Sequence, residues 1–211
     1  MPVLLDLFCG RLGWSRAFAK RGWKCVGVDL TEPPEIPDNC EFINEDILSL
    51  ELGSSSLRYR GSHEVICSYF DAVVGSSPCE NFSLFQMRNF HPNPPYPNEG
   101  IELFNHARNL CESSGLPYVL ENVARAQDFV GRAVNHSGSF YLWGNAVPPL
   151  LPKGLSKGMK MDRKWCQELG GHGSIKRNMQ TAAFATIPPE LANCVAEYFE
   201  RVMETRVQCT A

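Results

Sequence analysis

The chain has 211 residues, 44% of them hydrophobic, and a formal net charge of -3. This is enough for one sizeable core and too little for two full domains with a linker. The charge excludes attraction of the whole surface to a polyanion, and no apolar run approaches the roughly 18 residues of a membrane span. In chain order, "VLLDLF" (Val3 to Phe8) reads as a buried strand and Cys9 to Gly13 as a tight glycine turn. An amphipathic helix follows to about Arg21, then a second strand from Lys24 to Leu30, completing a βαβ unit. "EFINEDIL" (Glu41 to Leu48) repeats the pattern of a strand ending in an acid. "FDAVVGSS" is a further strand, "GIELFNHARNLCESSG" a helix, "YVLENV" a strand, and "SFYLW" (Ser139 to Trp143) a late strand, antiparallel or parallel. The terminal "IPPELANCVAEYFERVMETR" places Pro near a helix start, with Leu191, Val195 and Phe199 at helical spacing. Strands alternating with helices predict a three-layer, doubly wound α/β fold with a mostly parallel sheet.

Two segments break the rhythm. "RNFHPNPPYPNEG" (Arg88 to Gly100) is rich in proline, excludes a regular element and reads as an active-site loop. Between Lys153 and Arg177, seven basic residues face only Asp162 and Glu168, so this is the one basic stretch of the chain. The nine cysteines are odd in number, form no Cys-x-x-Cys pair and follow no secretory signal. The expectation is free thiols in a soluble, cytoplasmic protein. His91, His106 and His136 lack ligand spacing, so no metal site is expected.

The chemistry begins where an apolar strand stops at Ser76-Ser77-Pro78 and presents Cys79. A proline ends the strand and delivers the next side chain to the open edge of the sheet, which makes Cys79 a candidate nucleophile. Cys25, Cys67, Cys111 and Cys194 read instead as small buried hydrophobes. The glycine turn after the first strand lets a ligand approach the backbone closely. An acid ends each of the next two strands: Asp29, placed for ribose hydroxyls, and Asp46, placed for an adenine amino group. Together these imply an adenosine-containing cofactor.

"DLFCGRLGWS", "SPCENFS" and "LENV", in this order, resemble the motifs of the DNA cytosine-5 methyltransferase family, over roughly residues 3 to 150. The resemblance implies a Rossmann-like methyltransferase fold with S-adenosyl-L-methionine as cofactor. It assigns the cofactor pocket to Asp6, Phe8, Cys9, Gly10, Gly13, Trp14 and Ser15 around the first turn, to Asp29, Leu30, Asp46 and Ile47, and to Pro78. Cys79 becomes the thiolate that adds to carbon 6 of cytosine, activated by a helix N-terminus after Ser83. Glu121 holds N3 and the exocyclic amine, and Asn122 fixes its loop. The plainer reading of Glu121 is a helix cap. The target base is flipped out or unpaired, because carbon 6 is inaccessible within a duplex. "IPPELANCVAEYF" resembles the family's last motif, a helix returning to the cofactor pocket, and "WGNAVPPLL" competes with it. "NPPY" (Asn93 to Tyr96) resembles the signature of amino-group methyltransferases, but it does not end an apolar strand.

The sequence also departs from the family. Leu12 stands where the turn usually has a further glycine, Asp29 replaces a glutamate, and Glu80 replaces a glutamine, an acid unfavourable beside a phosphate backbone. The arginine-rich motif is missing, with Arg132 and His136 as substitutes in "RAVNHSGSFYLW". The expected organisation is a catalytic domain over residues 1–150, a small basic segment over 151–180 in place of a target-recognition domain, and a C-terminal helix over 181–211 packing back. Contacts to DNA are expected from Ser83, Arg132, His136, Lys157, Lys160, Arg163 and Lys164, with sequence specificity slight or supplied by a second subunit. The same chemistry on RNA and a catalytically silent nucleic-acid-binding protein are the alternatives.

Overall fold

A computed structural model describes residues 1–54, 56–83, 97–155 and 186–210, of which 68, 81, 83 and 206–210 are described by backbone alone. The main sheet contains β1 (Val3–Leu7), β2 (Lys24–Asp29), β3 (Cys40–Asn44), β7 (Ala72–Ser76), β8 (Tyr118–Asn122), β9 (Asn135–Ser137) and β10 (Phe140–Trp143). Its order is β3-β2-β1-β7-β8-β10-β9. The first five strands run parallel, and β10 is antiparallel to both its neighbours.

Strands buried on both faces read as continuous apolar runs, and alternate residues supply the two cores. Leu4, Cys25, Ala72, Val74 and Val119 face one layer, packed against α1 (Gly13–Lys20) and the terminal helix. Leu5, Leu7, Val26, Val28 and Val73 face the other, which includes residues of α3 (Asn98–Ser114) and of a small second sheet. In α1, Trp14, Ala17 and Phe18 are buried at helical spacing. In α3, Phe104, Ala107, Leu110 and Cys111 form the stripe, and Gly115 ends the helix at φ 67 in the left-handed region. Short helices α2 (Glu80–Ser83) and α4 (Gln127–Val130) lie in the connections, and α5 (Pro189–Thr210) closes the chain against α1.

The expected fold class is therefore observed, with four local differences. Between β3 and β7 the chain adds a three-stranded antiparallel sheet of β4 (Leu50–Leu52), β5 (Ser56–Tyr59) and β6 (Val65–Ser68), which the sequence reading missed. The strand expected to end at Asp46 stops at Asn44, because Asp46 caps a 3-10 turn over Ile47–Ser49 by accepting from Leu48 N at 2.9 Å. The helix expected after Ser83 begins at Glu80, and Phe82 N donates to Cys79 O at 3.2 Å. The loop expected to run to Gly100 is already helical from Asn98, since Pro97 precedes the first turn of α3. "NPPY" and the basic residues from Lys157 to Arg177 lie outside the described residues.

Candidate functional site

Strand order reverses between β1, whose connection leads out to β2 and β3, and β7 on its other side. A crevice opens at the carboxyl ends of the strands at such a switch point. A cavity of about 400 Å³ lies there. Its wall follows the strand ends: Phe8, Cys9 and Gly10 after β1, Asp29 and Leu30 at β2, Glu45, Asp46 and Ile47 after β3, and Ser76 and Pro78 at β7.

The turn after β1 is strained and pinned. Phe8, Gly10 and Leu12 take φ of 55, 51 and 59. Only glycine adopts this region at no steric cost, so Phe8 and Leu12 hold it through their surroundings. Cys9 N donates to Val28 O at 3.1 Å, Leu12 N to Cys9 O at 2.7 Å and Gly10 N to Asp29 Oδ2 at 2.9 Å. Leu12 turns its side chain into the core, fully buried, and does not line the cavity. Its Cδ2 lies 2.7 Å from where a Cβ on Gly27 would stand. The extra side chain therefore fills the space that Gly27 leaves open.

Below the turn, Asp6 and Ser15 are completely buried. Asp6 Oδ2 accepts from Ser15 N at 3.2 Å and from Ser15 Oγ at 2.6 Å, tying β1 to the start of α1. Both were expected to contact the cofactor, yet they lie behind the cavity wall as its support. Burial pushes the Asp6 carboxyl up to about 7 against the two Ser15 hydrogen bonds. Burial likewise pushes the Cys9 thiol upward, which leaves Cys9 an unreactive part of the wall.

Ten of the twelve residues expected at the cofactor line the cavity: Phe8, Cys9, Gly10, Gly13, Trp14, Asp29, Leu30, Asp46, Ile47 and Pro78. Asp29 is engaged by the backbone on both oxygens, with Thr31 N donating to Oδ1 at 3.1 Å. Trp14 Nε1 donates to Ser76 Oγ at 3.0 Å and so joins α1 to the end of β7. The sequence reading missed Arg11, Glu45, Ser76, Glu80, Glu99 and Leu103, and it did not single out Thr186 or Ile187 as lining residues. A signal for Ile187 was present, since "IPPELAN" had been set at the pocket. Among the described residues the lining carries five carboxylates, Asp29, Glu45, Asp46, Glu80 and Glu99, against one guanidinium, Arg11.

Cys79 is half-buried, between Pro78 and Glu80, which both line the cavity. Glu121 and Asn122 end the neighbouring strand β8, where Glu121 is in register with Ser76, and both are buried. Asn122 Nδ2 donates to Ser77 O at 3.0 Å and to Ser77 Oγ at 2.9 Å, so it holds the segment that carries Pro78 and Cys79. Its Oδ1 accepts from Val123 N at 2.8 Å, which also holds the loop after β8.

Arg132 and His136 are exposed, and the His136 ring stacks on Tyr141 at 4.7 Å. Ser83 is described by backbone alone, and Lys157, Lys160, Arg163 and Lys164 lie outside the described residues. Among the described residues no group of His, Cys, Asp and Glu has the arrangement of a metal site, and no helix is long and apolar enough to cross a membrane.

The class that fold and cavity define is a doubly wound α/β protein with a cavity at its switch point. Solved structures similar to the chain are methyltransferases. One is a protein assigned to an antibiotic biosynthesis pathway of Anabaena variabilis, 16% identical with a TM-score of 0.34, over 58% of this chain and 39% of its own. Another is the 1,6-didemethyltoxoflavin-N1-methyltransferase of Burkholderia thailandensis, solved with S-adenosylhomocysteine, 16% identical with a TM-score of 0.35, over 67% and 54%. A third is the glycopeptide N-methyltransferase MtfA complexed with S-adenosyl-L-methionine, 15% identical with a TM-score of 0.31, over 69% and 59%. The match thus spans between 39% and 59% of these chains. No family model matches the sequence, and no curated protein matches it. Likeness at this level carries no substrate or cofactor over to this chain.

Proposed function

We propose that the chain binds S-adenosyl-L-methionine in this cavity and transfers its methyl group to carbon 5 of cytosine in DNA through a covalent adduct of Cys79. The observation that carries the reading is the charge of the cavity, five carboxylates to one guanidinium among the described residues. A dinucleotide would bring a pyrophosphate into that field and be repelled, whereas a sulfonium cofactor brings net positive charge. The residues present fit such a group. The volume of about 400 Å³ lies in the range of small-molecule sites. Asp29 and Asp46 stand at the ends of neighbouring strands for the ribose and the adenine amine, with Leu30 and Ile47 as apolar walls.

The bound cofactor would supply an electrophilic methyl group. Cytosine carbon 5 is a weak nucleophile until a thiolate adds to carbon 6 and breaks the carbon 5–carbon 6 double bond. Cys79 provides that thiolate beside the cavity. Glu121 hydrogen-bonds N3 and the exocyclic amine as charge develops on the ring, and Asn122 keeps the Ser77-Pro78-Cys79 segment in place. Loss of the proton from carbon 5 to a base then restores the double bond and expels the Cys79 thiolate. The motif set supports DNA as substrate, and the basic stretch after Lys153 supports contact with its phosphates.

Labelled methyl transfer to duplex DNA, single-stranded DNA and RNA, run in parallel, tests the reading. A DNA carrying 5-fluorocytosine should trap a covalent adduct at Cys79, because fluorine blocks the last elimination. Cys79→Ser should lose both the adduct and the transfer. Methylation of cytosine without any adduct would overturn the carbon-5 mechanism.

A further inference from the structure

Glu80 was expected to lie near a phosphate backbone, where an acid is unfavourable, but its position in the cavity wall gives it a different use. The order β3-β2-β1-β7 spreads the cavity along the sheet edge, with Asp46 beyond β3 and Glu80 beyond β7. Three strand spacings separate those ends, about 14 Å. With the adenine end at Asp46, the opposite end lies at Pro78 and Glu80, next to Cys79. Neither Glu80 nor Glu99, which lines the same cavity from the first turn of α3, is ion-paired among the described residues.

Resting on the cofactor reading above, we infer that Glu80 determines selectivity between the methyl donor and its product, by serving as counter-ion to the sulfonium. Transfer of the methyl group turns a positively charged sulfur into a neutral thioether, while the ammonium and carboxylate of the amino-acid portion stay unchanged. A carboxylate facing the sulfur is the kind of group that senses this one difference. Affinity is thereby spent on the donor and withdrawn after transfer, so the product leaves and the cavity is freed for the next donor.

The test is calorimetric titration of the full chain with S-adenosylmethionine and with S-adenosylhomocysteine, without DNA. Wild type should prefer the donor. Glu80→Gln should weaken the donor about five- to tenfold and the product by less than about twofold, so that the preference shrinks. Glu80→Asp, which keeps the charge, should retain most of the preference, and Glu51→Gln on β4, outside the cavity, should leave both affinities unchanged. If Glu80→Gln weakens both ligands equally or neither, the inference falls while the cofactor reading stands. If wild type binds neither ligand, the cofactor reading falls and the inference with it.

Discussion

Asp6 shows how one buried group can support a cavity without lining it. Its carboxyl is fully enclosed, and Oδ1 has no hydrogen-bond partner among the described residues, so ionisation is opposed chiefly by desolvation. The folded value, about 7, lies above the ordinary carboxylate value of 3.8. The native chain therefore holds a proton that the unfolded chain has released across this interval. This contribution to stability is fully present below about pH 4 and is lost as pH rises through about 7. Asp6→Asn keeps an acceptor for Ser15 and removes the titration. Denaturation midpoints measured at about pH 5 and about pH 8 should fall less across that range in the mutant than in wild type. Parallel pH profiles for the two proteins would show that Asp6 is already ionised in the fold. Leu12 is the second residue whose role lies in the core: its left-handed backbone costs roughly 1–2 kcal/mol, offset by complete burial of the side chain over Gly27.

At the scale of elements, the last part of the chain completes a cavity built by the first. A Cβ on Gly13, at the start of α1, would stand 2.8 Å from Ile187 N and 3.1 Å from Ile187 Cβ. Only the absence of a side chain lets the segment ahead of α5 reach the cavity wall. The helix itself is anchored elsewhere, by Leu191, Val195 and Phe199, all fully buried, and by Arg21, which pairs with Glu200 at 2.6 Å and with Glu197 at 3.3 Å. Gly13→Ala should therefore push Thr186 and Ile187 outward while α5 stays docked. Cofactor affinity should drop about tenfold or more in calorimetry, with helicity by circular dichroism unchanged. Unchanged affinity would remove the 186–187 segment from the binding site. Elements with strong local signals were readable in advance: the apolar runs of β1, β2, β7 and β8, and the spacing of Leu191, Val195 and Phe199. The strands β4 to β6 were not, being three or four residues long. Their alternation, as in Leu50-Glu51-Leu52, is too brief to stand out. They matter for the site, because Tyr59 OH of β5 donates to Glu45 Oε1 at 2.7 Å and braces the cavity rim.

At the scale of the whole molecule, charge is the governing quantity. On the DNA reading proposed above, a chain of net charge -3 with an acidic cavity would need a local positive region to hold a polyanion, and the basic stretch from Lys153 to Arg177 is the one the sequence offers. DNA affinity should fall with salt at about -0.9 in log–log slope per neutralised phosphate on a duplex, or about -0.7 on a single strand. Replacing Lys157, Lys160 and Lys164 together by alanine should flatten that slope by roughly two to three units and leave cofactor affinity unaltered. An identical slope in mutant and wild type would assign recognition to a second subunit. What the sequence by itself determined is local: strand and helix periodicity, the glycine turn, the acids at strand ends, and Cys79 behind Pro78. These are set by neighbours along the chain and by the pleat and helix repeat. Tertiary structure alone decided that Leu12 turns inward, that Asp6 and Ser15 stand behind the wall, and that Glu80 and Glu99 share one cavity with Asp29 and Asp46. Those outcomes depend on how distant segments pack and which space they leave, and no pattern of adjacent residues encodes that separately from the fold.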